Sequence, residues 1–332
     1  MKKNVLTGIK PTGDIHLGNY IGAIKPAIAL SKNEHYQSAY FVADYHALTN
    51  VPGREEYKDH SCKVAATWLA LGLDPTKTIF YRQSDVPEIF ELTWILSCLA
   101  SKGLMNRAHA YKALADSNLD RGRDRDFGVN MGLFTYPVLM AADILLLKTD
   151  IVPVGKDQIQ HIEIARDLAD TFNKTYGDTF SLPQYQVEEN TAVLLGLDGR
   201  KMSKSYKNTI PLFEESKKRQ KLINKIKTDS SPPGACKDPY TSIIFSLYQE
   251  FASANEVLIM RERYENGISW GEAKQELGKV MNDVLEEPRE TYLELINAPK
   301  KLNEILLEGA EKARAISVPF LKEIREKIGL LS

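Results

Sequence analysis

Short apolar runs alternate with helical patterns through the first hundred residues, and this alternation narrows the possible folds more than any other feature of the chain. Asn4 to Gly8 reads as a short strand running into a Gly- and Pro-bearing loop, and a helical segment spans about Leu17 to Leu30. Ala39 to Ala43 is a second buried strand, and Glu55 to Leu73 has helical spacing with Val64, Trp68 and Leu71 on one face. Thr78 to Tyr81 forms a third strand and Ile89 to Leu99 another helix. The alternation predicts an α/β fold built on a doubly wound parallel sheet. Such sheets bind ligands beyond the carboxyl ends of their strands, where the loops lie.

From about Lys102 to Val129 the pattern weakens and charge rises, and Asp120 to Asp126 reads as a mobile, solvent-facing insertion. Periodicity then returns as a helix from about Pro137 to Leu147, with Pro137 in its first turn, the strand Ile151 to Val154, and a helix from Asp157 to Lys174. Past about residue 210 the strands stop; Ser230 to Ala235 is a break, and Leu321, Ile324 and Ile328 form an apolar stripe on a late helix. The expected organisation is therefore a Rossmann-like domain over 1–208, with a helical or loop insertion at about 102–150, and an all-α C-terminal domain over 209–332.

Composition excludes several classes. At 332 residues the chain is long enough for a main domain plus a second. No run approaches the roughly 18 apolar residues of a membrane helix, and the N-terminus carries no signal-like stretch. Cys62, Cys98 and Cys236 are odd in number and scattered, which argues against disulfides and cysteine-held metal and fits a reduced cytoplasm. A net charge of −1 leaves RNA contact to local patches. One candidate is Lys217, Lys218, Arg219, Lys221, Lys225 and Lys227, equally readable as the solvated face of a helix.

Two segments carry chemistry. Gly8 to Gly13, followed by His16-Leu-Gly-Asn19, places a glycine-bearing turn and a helix start after the first strand, where free N–H groups can hold phosphate. Gly18 lets a base or phosphate approach the backbone, and His16 and Asn19 share a face; the plain alternative is a capped helix start with a satisfied histidine. The second segment, Lys201-Met-Ser-Lys-Ser205, puts two lysines and two hydroxyls in one loop, able to close over a triphosphate and neutralise growing charge. One lies after the first strand and the other after the last strand of the sheet region.

The pair resembles the HIGH and KMSKS signatures of class I aminoacyl-tRNA synthetases, with Asn19 where many members carry a second histidine. The likeness extends over nearly the whole chain and narrows to the bacterial tryptophanyl type, because Thr135 to Leu145 is similar to that family's tryptophan-pocket helix and Val152 to Glu163 to its adjacent loop. Tyr136, Met140 and Asp143 share one helical face. A carboxylate among apolar neighbours is costly to bury without a partner, and suits an indole N–H, a donor with no acceptor capacity; its plain alternative is a cap or a bridge to a lysine.

The resemblance assigns ATP contacts to Lys10, Pro11, Thr12, Gly18, Asn19, Gly155, Lys156, Asp157 and Val193, and to Lys201, Met202, Ser203, Lys204 and Ser205. It assigns the amino acid to Asp143, Tyr136, Met140, Gln158, Leu6 and His46, and catalysis to His16, Asn19, Lys201 and Lys204. For His46 a satisfied strand-end histidine is nearly as good a reading. Lys10 stands where many relatives have glutamine, and Leu6 where some have an aromatic ring, implying weaker stacking on the indole. The implied partners are ATP with Mg²⁺, L-tryptophan, tRNA and a second copy of the chain, with the helical C-terminal part reading the anticodon. A tyrosine-specific relative, a plain nucleotidyltransferase and a regulatory paralogue remain as alternatives at this point.

Overall fold

The computed structural model describes residues 2–330 except 12, 51–52 and 188–193, and leaves aside the side chains of residues 50 and 157. Strand β1 (Lys3–Ile9) leads to helix α1 (Leu17–Asn19), a wide π-helical turn (Tyr20–Ile24) and α2 (Lys25–Ser31). Then come β2 (Tyr36–Val42), α3 (Asp44–Ala47), α4 (Arg54–Ala70), β3 (Ile79–Arg82), α5 (Glu88–Ser97), α6 (Lys102–Met105), α7 (His109–Asp120) and α8 (Met131–Leu146). The chain continues through β4 (Ile151–Val154), α9 (Ile159–Tyr176), β5 (Gln184–Val187), α10 (Ser216–Asn224), α11 (Ile243–Tyr248), α12 (Ala254–Glu265), α13 (Trp270–Asn297) and α14 (Pro299–Lys327).

The strands pair in parallel in the order β3-β2-β1-β4-β5, as a Rossmann-like α/β sheet. Strand alternation divides the interior in two. Leu6, Ala39, Phe41, Ile79, Tyr81 and Val152 point to one face and pack under α5, α8 and α9. Val5, Tyr40, Val42, Phe80 and Ile151 point to the other, against α2 and α4. Both faces are buried, which is why these strands read as continuous apolar runs. The strand order reverses between β1 and β4, so a crevice opens beyond their carboxyl ends.

A third core joins Leu17 and Met202 to Ile223, Phe245, Tyr264, Leu277 and Met281, uniting α10 to α13. The last helix returns to the sheet: Ala310, Ala313, Phe320, Leu321 and Ile324 complete the core under β3 and α5. The apolar stripe of the C-terminal helix thus faces the sheet rather than the α10–α13 core.

Three local expectations are corrected. The segment after Lys102 contains α6 and α7, with Tyr111 and Ala115 buried and Ser101 capping α6 by accepting from Leu104 N–H at 3.1 Å. Its charged end is exposed, and Arg123 and Arg125 sit over the rings of Phe127 and Tyr111. Helix α8 begins a turn and a half early, because Asn130 caps it through the N–H of Leu133, and Pro137 lies inside it. Arg219 leaves the basic patch altogether: it is fully buried and its guanidinium donates to Asn282 Oδ1 at 2.6 Å.

Helix α14 lies so close to β3 that a Cβ on Gly309 would stand 1.7 Å from the Phe80 carbonyl oxygen. At an exposed helical site Gly→Ala gains about 1 kcal/mol; here Gly309→Ala is expected to lose about 3 kcal/mol through overpacking, read as a lowered urea midpoint.

Candidate active site

A cavity of about 400 Å³ occupies the crevice beyond β1, β2 and β4. Leu6, Gly8 and Lys10 supply its floor, Phe41 and Val152 its sides, and Tyr136, Met140 and Asp143 on α8 its opposite wall. Gln158 and His161 enter from the start of α9, and His46 and Thr49 from the segment after β2. Helical spacing on α8 therefore does bring Tyr136, Met140 and Asp143 to one ligand-sized space. Gly8 is needed for it, because a Cβ there would meet the Phe41 ring at 2.6 Å.

Asp143 is 1 % exposed. Its Oδ2 lies 2.8 Å from His46 Nε2, and Gln83 Nε2 donates to Oδ1 at 2.8 Å and to Oδ2 at 2.9 Å. Burial pushes the carboxyl above its ordinary range, and the bonds from His46 and Gln83 pull it back. Across the cavity the Tyr136 hydroxyl is 2.9 Å from His161 Nε2. Lys10 Nζ donates to Thr49 Oγ1 at 2.8 Å, and partial burial lowers its ammonium pKa.

Sequence reasoning missed Gln83, His161, Phe41 and Thr49. Gln83 carried no clear signal, since it follows the charged Arg82 at the end of β3. Phe41 changes the expectation for Leu6: β1 offers no ring, but β2 supplies one to the same cavity, and it stacks on Tyr81 at a centroid distance of 5.5 Å.

The two motif loops meet. Ile15 to Leu17 runs antiparallel to Ile210 to Leu212, with Leu17 N–H donating to Ile210 O at 3.0 Å and Leu212 N–H to Ile15 O at 3.0 Å. His16 caps α1: its Nδ1 accepts the Gly18 N–H at 3.1 Å while its own N–H donates to Asn19 Oδ1 at 3.2 Å. An accepting Nδ1 leaves the ring proton on Nε2, available to an anion. Burial and the nearby Lys204 charge depress the His16 pKa to about 4, so the ring is neutral near pH 7. Met202 packs beside Gly18, and Lys204 Nζ lies against Gly13, whose positive φ suits glycine. Loss of hydration where its ammonium packs against Gly13 lowers the Lys204 pKa, although the side chain as a whole remains exposed.

The second loop is shaped by Asn208, which is buried. Its Oδ1 accepts from Ser203 N–H at 2.8 Å, and its Nδ2 donates to Asp198 Oδ1 at 2.7 Å and to Lys201 O at 3.1 Å. The bond from the Asn208 amide and those from Arg200 hold the Asp198 carboxyl down at about 2. Lys201, Lys204 and Ser205 stay exposed and Ser203 is half-buried. Pro11 is buried, whereas Gly155 and Lys156 are exposed at the turn after β4. Gly155 borders a narrow slot of about 150 Å³ with Gly22 and Ala23 of the π-helical turn. Thr12, Val193 and the side chain of Asp157 lie outside the described residues.

Two outcomes follow from this geometry. With a folded pKa of about 4 against 6.5, the unfolded chain binds a proton at His16 between those values that the folded chain does not. Stability is therefore complete above about pH 6.5 and falls by up to about 3 kcal/mol as pH drops through the window. A His16→Asn substitution, which keeps an acceptor for Gly18 N–H, is expected to flatten that part of the urea-midpoint profile. Asn208→Ala leaves several loop groups unpaired, at about 1–3 kcal/mol each, so trypsin is expected to cut after Lys201 and Lys204 about tenfold faster or more, and the urea midpoint to fall.

The model of the family "tRNA synthetases class I (W and Y)" matches residues 2–286. A tryptophan–tRNA ligase of Pseudomonas putida is 53 % identical over 335 aligned positions, covering 100 % of this chain and 75 % of its own. One from Neisseria meningitidis is 50 % identical and covers 99 % of this chain and 98 % of its own. The tryptophanyl-tRNA synthetase of Campylobacter jejuni, solved with ADP and tryptophan, superposes with a TM-score of 0.90 at 46 % identity, covering 98 % of this chain and 99 % of that one. A tyrosyl-tRNA synthetase from Archaeoglobus fulgidus shares the fold at 20 % identity and a TM-score of 0.63. The chain belongs to the class I tRNA synthetases for tryptophan and tyrosine, and within them to the tryptophan–tRNA ligases.

Proposed function

We propose that the chain activates L-tryptophan with ATP and transfers it to the 3′ end of tRNA, with the reaction centred where the cavity meets the two motif loops. The observation that carries this reading is Asp143, a fully buried carboxylate on the wall of a ligand-sized cavity that combines apolar side chains with a few polar groups. Its open acceptor position suits an indole N–H. Met140, Leu6 and Phe41 enclose the ring, while Tyr136 and Gln158 hold the amino group.

Lys10 at the cavity floor faces the substrate carboxylate and the α-phosphate. The nucleoside occupies the slot beside Gly155 and Gly22, with Pro11 and Gly18 around the phosphates and Lys156 and Asp157 on the ribose side. A carboxylate oxygen attacks the α-phosphorus in line, forming the acyl phosphate bond of tryptophanyl-adenylate as the bond to the bridging oxygen breaks and pyrophosphate leaves. No protein nucleophile is required; the enzyme positions the reactants and stabilises charge. His16, through Nε2–H, and Asn19 contact one side of the phosphate chain. Lys201 and Lys204 contact the other, with Ser203 and Ser205 donating and Met202 anchoring the loop.

The groups facing the phosphates are lysines, hydroxyls and N–H donors, a set that binds phosphate oxygens rather than metal. Mg²⁺ accordingly accompanies ATP on its own oxygens and water, and supplies charge neutralisation when bound. A terminal tRNA hydroxyl then attacks the adenylate carbonyl and releases AMP.

We assign anticodon recognition to the helical part of 209–332 and a homodimer to the working state, with each tRNA spanning both subunits. Phe90 and Trp94, both exposed apolar side chains on α5, support self-association. Among the described residues no helix is long and apolar enough to cross a membrane, and cytoplasmic placement fits the free cysteines.

Pyrophosphate exchange into ATP, run with tryptophan, tyrosine or neither, tests the reading: exchange should depend on tryptophan. Tyrosine-dependent exchange would overturn the specificity, and no exchange in folded protein would overturn the activity. Asp143→Ala is expected to lower kcat/KM for tryptophan by about 10³-fold or more, as for a site that loses its one polar reader, with ATP binding changed little. Equal losses for both substrates would make Asp143 structural.

A further inference from the structure

We propose that Gln83 is a positioning and specificity-determining residue, whose side-chain amide fixes Asp143 as an acceptor-only carboxylate facing the indole. This rests on the reading that Asp143 contacts the indole N–H.

Gln83 is 0 % exposed and sits on the turn that follows β3. Its Oε1 accepts the backbone N–H of Tyr45 at 3.1 Å. That bond settles which way the amide faces, so Nε2 must point at Asp143, where it lies 2.8 Å from Oδ1 and 2.9 Å from Oδ2. A carboxylate offers about four acceptor positions. Gln83 occupies one on each oxygen and His46 Nε2 a second on Oδ2, leaving the open position on Oδ1.

The two partners differ in what they enforce. A neutral imidazole nitrogen donates or accepts according to its tautomer, so His46 tolerates either state of Asp143. The Gln83 amide nitrogen can only donate, and the Tyr45 N–H prevents it from turning its oxygen inward. A carboxyl proton on Asp143 has no acceptor at Gln83: it lies either on Oδ2 towards His46 or on Oδ1, the one open position, where it would confront the indole N–H, donor against donor. The locked amide therefore favours the acceptor form of Asp143. Lys10, beyond β1, and Tyr136 and His161, on α8 and α9, line the same cavity, and the buried Tyr81 hydroxyl from β3 feels the Asp143 charge. Of the surrounding groups, Gln83 reaches both carboxylate oxygens. Burial pushes Asp143 towards protonation, and loss of the Gln83 donor acts in the same direction.

The test is a Gln83→Met variant, close in volume and lacking the donor, followed by pyrophosphate exchange from about pH 6.5 to about pH 9. KM for tryptophan should rise about tenfold or more at neutral pH and return towards the unaltered enzyme as pH increases and Asp143 ionises. KM for ATP should stay within about twofold, and discrimination against 1-methyl-L-tryptophan, which lacks the indole N–H, should shrink. A KM for tryptophan that is unchanged, or raised by one factor at every pH, or raised together with that for ATP, overturns the proposal. If the Met variant does not fold, Gln83→Asn, which keeps an amide of shorter reach, is put through the same pH series and read the same way. Asp143→Asn runs beside it. If that variant keeps its tryptophan KM and its discrimination, the reading of Asp143 itself falls; if it loses both while Gln83→Met is silent, only the role of Gln83 falls.

Discussion

A strand buried on both faces can meet a ligand only at its end. Strand β1 is such a strand: Val5 packs into one core and Leu6 into the other, with β2 and β4 paired on either side. Its carboxyl end is open because the chain turns one way after β2 and the other way after β4. The remaining arrangement follows from that opening. Gly8 thins the strand where the Phe41 ring comes across, Lys10 leaves the sheet pointing into the crevice, and the loop to α1 crosses the same opening. The cavity and the two motif loops are two sides of one gap in the sheet order.

Within that gap the costliest element is the charge on Asp143. An unpaired buried carboxylate would protonate rather than remain ionised, and a protonated acid would read a donor poorly. The fold answers with donors drawn from separate elements, His46 from the segment after β2 and Gln83 from the turn after β3. These are the carboxyl ends of neighbouring parallel strands. The same sheet edge that opens the cavity therefore also brings the supporting donors within reach. His16 shows the opposite solution, for burial and Lys204 keep its ring neutral, so that it can donate without adding a charge.

Much of this was legible in the sequence, and the reasons for the rest are physical. The parallel sheet, the meeting of His16 with the lysine loop, and the shared face of Tyr136, Met140 and Asp143 follow from period and order along the chain. Gln83 and His161 were not legible because their partners lie far off in sequence: Gln83 bonds Asp143 across 60 positions and His161 bonds Tyr136 across 25. No local pattern encodes such a pair. Arg219 misled for a related reason. It sits among lysines in a helix, and only the tertiary position of Asn282 distinguishes a buried cation from a solvated one. The apolar stripe of α14 was visible, but a stripe does not say which surface it meets; the contact of Gly309 with β3 does.

The two sides of the gap are rooted differently. Leu6, Phe41, Asp143 and Val152 are held by the sheet and α8, in a core that α14 completes. Leu17, Met202, Ile210 and Leu212 belong instead to the core of α10 to α13, and they carry His16, the lysine loop and the strand-like pairing between them. Asn208 binds that loop to itself through Asp198, Ser203 and Lys201. The loop that carries the two lysines is therefore rooted in the α10–α13 core, while the cavity wall is rooted in the sheet and α8. Ile15 and Tyr20 pack against both the α10–α13 core and the α2–α4 side of the sheet, so the segment after β1 joins the two sides of the gap.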